Sequence, residues 1–450
     1  MDFQNSKHLV AAAQKMRAEY LKRAQTTAIS VQQKASCRND PIKGPLWVSK
    51  FTLPIPTDDT SRGLLLQLVD EANEHQVRYD RPASVSLDFE WVAYRRNVQK
   101  DTPEPAIGEK EKYDRVMAET TSPLTILYLY GGSFVLNSAS SYRKTAAALS
   151  QATGAKVLLV RQRLAPQNPF PAALLDAFQA YLTLLHPPPQ VAPTSPCRPP
   201  RSSWRATVRV PVWPWVSSRS CSGCSVGGAT ITFHGSTEPP VVPAGMSLLS
   251  PVADLTNAFP SFERNARCDI FPVPIEKLPY LEKSFPTCPA WPTRPPRANL
   301  YCEAGMLAHP LASPAAAEDW TGTCPIWMGS GQEQIVDASR LVAREIHRAG
   351  GSITLREYES MPHTFFWVFG AAPQTKQILG EWAQAAVRFA RGEQPPSSAQ
   401  FIWARSLKAE SLEVENLVPF TLEQAQEWMW KKTHGYQVPG FHRKGSRSSL

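Results

Sequence analysis

The sequence predicts an α/β domain built on a mostly parallel sheet, and three observations predict it. Short apolar runs recur along the chain: "LTILYL" (124–129), "KVLLV" (156–160), "GMSLLS" (245–250) and "PIWMG" (325–329). Helical patterns such as "SYRKTAAALSQATG" separate them. Unbroken apolar runs read as strands buried on both faces, the texture of a parallel sheet with helices packed on each side. At 450 residues and 42% hydrophobic content the chain is long and apolar enough to bury a large core.

Taken in order, the N-terminus "MDFQNSKHLVAAAQKMRAEY" lacks the charged-then-apolar layout of a signal peptide. It predicts a surface helix of an intracellular, cytoplasmic protein. "DDTSRGLLLQLVDEANEHQ" offers an Asp/Thr/Ser start and sets Leu64, Leu65, Leu68 and Val69 on one face, so an amphipathic helix is expected there. The remainder of 1–110 reads as irregular, the core as 111–395, and 396–450 as a tail with one helix, "LEQAQEWMWKK", before a polar end. The final "SSL" lacks the basic middle residue of a peroxisomal S-K-L signal. No apolar run reaches the roughly 18 residues that a membrane span needs, so none is expected.

The net charge is +9, but Arg198, Arg201, Arg205, Arg209 and Arg219 lie in one stretch without Asp or Glu. Setting those five aside leaves +9 − 5 = +4, a mildly basic solvated surface, and no nucleic-acid module accompanies it. No nucleic-acid partner is expected. Of the eight Cys, Cys221 and Cys224 form a lone C-x-x-C without a second pair at zinc spacing, and the others are scattered. Free thiols in a reducing compartment are the reading.

Two stretches carry chemistry. In "LYLYGGSFVLNS" (127–138) an apolar strand runs into Gly131-Gly132, where backbone without Cβ can turn its N–H groups toward a ligand oxygen. Alone, it reads as a plain glycine turn after a strand. In "RQRLAPQNPFPAALLDAFQAYLTLL" (161–185) a Pro-rich turn leads straight into a helix after the next strand.

Together these stretches resemble the hormone-sensitive-lipase-like branch of the α/β-hydrolases, whose members carry H-G-G-G-F and then Y-R-L-A-P-E-x-P-F-P-A-A-x-x-D-A. Here the first is Tyr130-Gly131-Gly132-Ser133-Phe134, departing at its first and fourth positions. The second is nearly intact from Arg163-Leu164-Ala165-Pro166 to Asp176-Ala177. "LLSPVADLT" (248–256) and "HPLASP" (309–314) continue the resemblance, which covers roughly 120–390. It implies the α/β-hydrolase fold, a site partly capped by residues 1–110, and an oxyanion hole at Gly131 and Gly132.

The acid and base follow from spacing. Asp337 opens a helix whose apolar face is Ala338, Val342 and Ile346, Gly350-Gly351 closes it, and Ile353 and Leu355 then alternate with polar residues as in a strand. Glu333 therefore sits on the loop after one strand and His363 on the loop after the next, at the sheet edge where α/β proteins place their sites. In isolation Glu333 reads as a helix-terminal charge and His363 as one of nine solvated histidines. The resemblance implies more: the family's acid lies four residues before such an Asp, and its histidine precedes an aromatic, as in "MPHTFF". The implied roles are His363 as base and Glu333 as its orienting acid.

The nucleophile belongs between Leu185 and Leu248, where the family carries G-D-S-A-G-G in a strand-turn-helix. One literal G-x-S-x-G exists, around Ser225, but "SSRSC" before it is no buried strand and "ATITFHG" after it is β-like. "WRATVRVPVWPW" (204–215) has neither helical nor strand periodicity. Its codons, read one base earlier, permit Leu-Ala-Gly-Asp-Ser-Ala-Gly-Ala-Cys-Leu-Ala-Leu, with the Ser codon straddling Thr207 and Val208. A departure from the ancestral reading frame between about Pro189 and Gly228 is the expectation. With six prolines and no apolar face, 190–228 predicts little order.

The function implied is that of a serine carboxylesterase or deacetylase acting on small apolar esters through an acyl-enzyme, without metal or organic cofactor. The alternative is a hydrolase-fold protein that binds a small apolar ligand without turnover. Oligomeric state is not legible.

Overall fold

The computed structural model describes residues 2–187, 206–208, 230–239, 241–271 and 273–436, with 206–208 described by backbone alone. Helices α1 (Ser6–Thr26) and α2 (Ile29–Ser36) precede the antiparallel pair β1 (Leu46–Leu53) and β2 (Leu87–Tyr94), which flank α3 (Ser61–Glu71). Then come α4 (Glu109–Glu119), β3 (Thr125–Tyr128), α5 (Arg143–Thr153), β4 (Lys156–Val160) and α6 (Ala172–Leu185). Strand β5 (Ala206–Val208), the hairpin β6 (Ile231–Phe233) and β7 (Ser236–Glu238), β8 (Gly245–Leu249) and β9 (Ile326–Gly331) follow. The chain continues through α7 (Val336–Arg348), β10 (Ile353–Tyr358), α8 (Pro373–Ala390), β11 (Ser398–Ile402), β12 (Ala409–Leu412) and α9 (Leu422–Thr433).

Ten strands form one sheet in the order β1-β2-β4-β3-β5-β8-β9-β10-β11-β12. From β4 to β11 all neighbours run parallel, so their C-terminal ends and the loops that follow share one edge. One face of the sheet packs α3, α6 and α7 through Leu65, Leu68, Leu175, Phe178, Val342 and Ile346. The other packs α5 and α8 through Ala146, Leu149, Ile378, Trp382 and Phe389. This is the helix-on-both-faces architecture that apolar strands buried on both sides demand.

Two readings of the chain's ends need correction. Residues 1–110 are not irregular after their helices, because β1 and β2 extend the sheet. The strand signal in "LDFEWVAY" is masked by two acids, the exposed Asp88 and the half-buried Glu90; the Arg143 guanidinium of α5 meets Glu90 through Nε at 2.6 Å and satisfies it. Nor does the sheet stop at 395: β11 pairs parallel to β10, and β12 closes over it antiparallel. The exposed, charged β12 has no apolar alternation to betray it. The segment 190–228 and the G-x-S-x-G at Ser225 lie outside the described residues, apart from the three-residue β5. The C-x-x-C at Cys221 and Cys224 lies outside them too, while Cys37, Cys268, Cys288, Cys302 and Cys324 are free thiols. Among the described residues, no helix is long and apolar enough to cross a membrane.

Local chemistry explains two of the sequence motifs. In "RLAP…DA", the Arg163 guanidinium and its own amide both bond the Asp176 carboxylate, fully buried on α6. That pair folds the Pro-rich turn onto the helix, and loss of one partner would cost about 3–5 kcal/mol. In "HPLASP", His309 accepts the Leu311 amide at Nδ1 (3.0 Å) and places Nε2 2.9 Å from the Val69 carbonyl. Only the neutral Nε2–H tautomer satisfies both contacts. Burial accordingly pulls the His309 pKa down from its ordinary value to about 4.

A depressed histidine pKa stabilises the folded chain above the ordinary histidine range, and that contribution is lost as pH falls toward about 4. Urea unfolding over this window should show stability falling with acid more steeply in the unsubstituted chain than in His309→Gln. Equal slopes would contradict the assignment.

Candidate active site

Glu333 and His363 come together at the edge formed by the parallel strand ends. His363 Nδ1 lies 2.7 Å from Glu333 Oε2. A carboxylate only accepts, so in the neutral ring Nδ1 carries the proton and Nε2 is the proton-accepting nitrogen. Glu333 is 1% exposed and the His363 side chain 12%, which places the imidazole at the wall of the candidate site and the carboxylate behind it.

The Glu333 carboxylate is held by donors from three strand ends. Its Oε1 accepts from Ser250 Oγ (2.5 Å), just past β8, and from the Gly331 amide (2.9 Å) at the end of β9. Ser250 Oγ in turn accepts the Thr364 N–H at 3.1 Å, beside His363. Asn265 Nδ2 donates to the Glu333 carbonyl at 2.8 Å. The Phe271 ring meets the imidazole edge to face, with centroids 5.2 Å apart.

The glycine turn after β3 is rigidly built. The Gly131 carbonyl accepts from Tyr142 Oη (2.8 Å) and Asn137 Nδ2 (3.1 Å). In a trans peptide the next N–H points opposite to that carbonyl, so the Gly132 amide is aimed away from Tyr142 and Asn137. Gly132 has φ +139°, and a Cβ there would lie 2.2 Å from the Leu136 carbonyl oxygen. Tyr142 also packs on Trp367, four residues past His363, with ring centroids 4.5 Å apart, so one tyrosine links the glycine turn to the His363 loop. Tyr130, at the position where the resemblance has histidine, is buried and accepts the Gln162 amide through its hydroxyl at 3.2 Å.

The N-terminal helices touch both halves. From α1, Arg17 Nη1 reaches Gln334 Oε1 at 2.5 Å; from α2, Gln33 Nε2 donates to the Val135 and Ala165 carbonyls at 3.1 and 3.0 Å. The Ser36 hydroxyl accepts the Asn137 amide at 3.1 Å. Between the glycine turn and Ser250 stands β5, hydrogen-bonded to β3 on one side and β8 on the other.

The family described as the alpha/beta hydrolase fold matches residues 126–367. The chain belongs to the α/β-hydrolase fold family. It is 29% identical over 270 residues to an acetyl-hydrolase of Streptomyces hygroscopicus, covering 60% of this chain and 77% of that protein. An esterase of Acinetobacter venetianus is 24% identical over 277 residues, 61% of this chain and 78% of its own. Among solved structures, an esterase from the bacterial hormone-sensitive lipase family superposes with TM-score 0.51 at 18% identity, covering 84% of this chain and 98% of that one. An esterase/lipase from an uncultured bacterium gives 0.52 at 18%, covering 85% and 98%. At that identity the two structures share the hydrolase fold.

Within this hydrolase fold, sequence reasoning had placed Glu333, His363, Gly131 and Gly132 but had missed Ser250, Asn265, Asn137 and Tyr142. Ser250 lies in the quoted "LLSPVADLT", so its motif was visible while its partner was not. Among the described residues no cluster of three or more His, Cys, Asp and Glu could hold a metal ion.

Gly132→Ala should destabilise the protein by about 1–3 kcal/mol, because the added Cβ meets the Leu136 carbonyl in a backbone region L-residues avoid. The guanidinium-chloride midpoint measures it; an unchanged midpoint would contradict the turn geometry.

Proposed function

We propose that this chain, by family a carboxylic ester hydrolase, carries the acid, base and oxyanion parts of an acyl-enzyme mechanism for small apolar esters, acetyl esters among them. The observation that carries the proposal is the 2.7 Å contact between Glu333 and His363 at the C-terminal edge of the sheet. In the mechanism His363 Nε2 removes the proton of a serine hydroxyl as that oxygen attacks the ester carbonyl. Glu333 holds the ring tautomer and stabilises the imidazolium that forms. The Gly131 and Gly132 amides stabilise the oxyanion, and the imidazolium then returns its proton to the leaving alkoxide. Water repeats the sequence on the acyl-enzyme. Helices α1 and α2 cap the site, a role their contacts with the acid loop and the glycine turn support.

The nucleophile is what the chain as written lacks. From 209 to 216 it reads Arg-Val-Pro-Val-Trp-Pro-Trp-Val, with no Ser, Thr or Cys directly after β5. The shifted frame supplies a serine at the boundary of Thr207 and Val208, and β5 spans Ala206–Val208 between the oxyanion strand and β8. That coincidence of position supports a lost reading frame across the elbow. It also favours the second reading for the chain as written, a hydrolase scaffold that binds a small apolar ligand without turnover.

The chain as written should hydrolyse short-chain nitrophenyl esters no faster than its His363→Ala variant. With the frame restored, turnover should rise by orders of magnitude, since loss of the nucleophile alone costs on the order of 10⁶ in a serine hydrolase. His363→Ala should abolish that gain, and a fluorophosphonate probe should label only the restored chain. Robust turnover by the chain as written, lost in Ser225→Ala, would place the nucleophile in the G-x-S-x-G and refute the frame reading.

A further inference from the structure

We propose that Asp269 is a positioning residue, a single buried carboxylate that clamps the loop of the acid to the loop of the base. The proposal rests on the reading of Glu333 and His363 as acid and base. Asp269 Oδ1 accepts the backbone N–H of His363 at 2.8 Å, and Oδ2 accepts the N–H of Gln334, the residue after Glu333, at 2.7 Å. The two oxygens of one rigid carboxylate thus set the spacing between the backbones that carry the pair. A third amide, Ile270 N–H, bonds Oδ1 at 2.8 Å and fixes the carboxylate against its own main chain.

The clamp is itself held from outside the sheet. From α1, Arg17 Nη1 donates to the Asp269 carbonyl (3.3 Å) and to Gln334 Oε1 (2.5 Å). Gln14 Nε2 bonds the carbonyls of Ala266 (3.1 Å) and Arg267 (2.7 Å) just upstream. Asp269 has no exposed surface, so its charge is poorly screened. The charged and titratable groups facing it are Glu333 from the loop after β9, His363 from the loop after β10, Arg17 from α1 and the neighbouring Cys268 thiol. Burial, with the Glu333 charge adding to it, pushes the Asp269 carboxyl up to about 6, while His363 and the amides pull it back.

Geometry and charge then act together on one imidazole. Ionised Asp269 keeps the His363 amide in place and adds a second negative charge that stabilises the imidazolium. Protonated, it gives up that charge and one acceptor, and the two loops are no longer tied. A group that served folding alone would do neither.

The test follows the His363 ring by NMR in the unsubstituted chain, Asp269→Asn and Glu333→Gln. In Asp269→Asn the imidazole should become about tenfold more acidic, and the low-field proton shared with Glu333 should broaden or vanish. Glu333→Gln should shift the ring in the same direction. A lowered unfolding midpoint with an unmoved His363 titration in Asp269→Asn would overturn the proposal. A second measurement needs no variant: the amide protons of His363, Gln334 and Ile270 should move together as pH crosses about 6, because one carboxylate bonds all three. Separate midpoints would overturn it as well. Neither readout requires turnover, so a frame-restored chain that failed to hydrolyse esters would count against the proposed function and leave the clamp standing.

Discussion

The register between β9 and β10 is the constraint on which the site depends. Six parallel pairs, from Ile326 opposite Ile353 to Gly331 opposite Tyr358, bring both strands to the same edge in step. There the loops cross so closely that a Cβ on Gly331 would lie 2.0 Å from the Met361 carbonyl oxygen. Only glycine permits the approach. It lets the Gly331 amide reach Glu333 while Met361 leads into His363, and it brings Ser250 from the neighbouring β8 within reach of both loops.

The edge buries carboxylates and meets their cost with backbone amides. Asp254 accepts the N–H groups of Thr256 and Ala258, Asp269 those of His363, Gln334 and Ile270, and Glu333 that of Gly331. Loops leaving parallel strands have N–H groups that no ladder consumes; a buried N–H left unpaired is costly, and a buried carboxylate left bare far more so. Each therefore solves the other's problem. The result is a set of loops pinned by short charge-assisted hydrogen bonds, which hold Glu333 and His363 in a fixed geometry.

Much of this was legible because it depends on local pattern. The central strands and the helices between them are written in apolar runs and periodicity, and Glu333 and His363 in their distances from the helix at Asp337. What escaped notice was satisfied by a distant partner. Glu90 interrupts β2 in the sequence but is answered by Arg143, and the exposed β12 is a strand only because β11 offers an edge. Ser250, Asn265 and Asp269 look like ordinary polar loop residues until the acid and base loops arrive beside them.

By itself, then, the sequence determined the α/β class, the order of the central strands and helices, the positions of Glu333 and His363 on the loops after successive strands, and the break in pattern at 204–215. These follow from periodicity and from short-range chemistry, which a linear string records. Tertiary structure alone decided that β1, β2, β11 and β12 join the sheet, that β5 occupies the place between β3 and β8, and that one carboxylate ties Gln334 to His363. Those outcomes rest on contacts between residues far apart in the chain. Whether a buried charge or an unpaired strand edge is tolerated depends on the partner that reaches it, and only the folded chain supplies that partner.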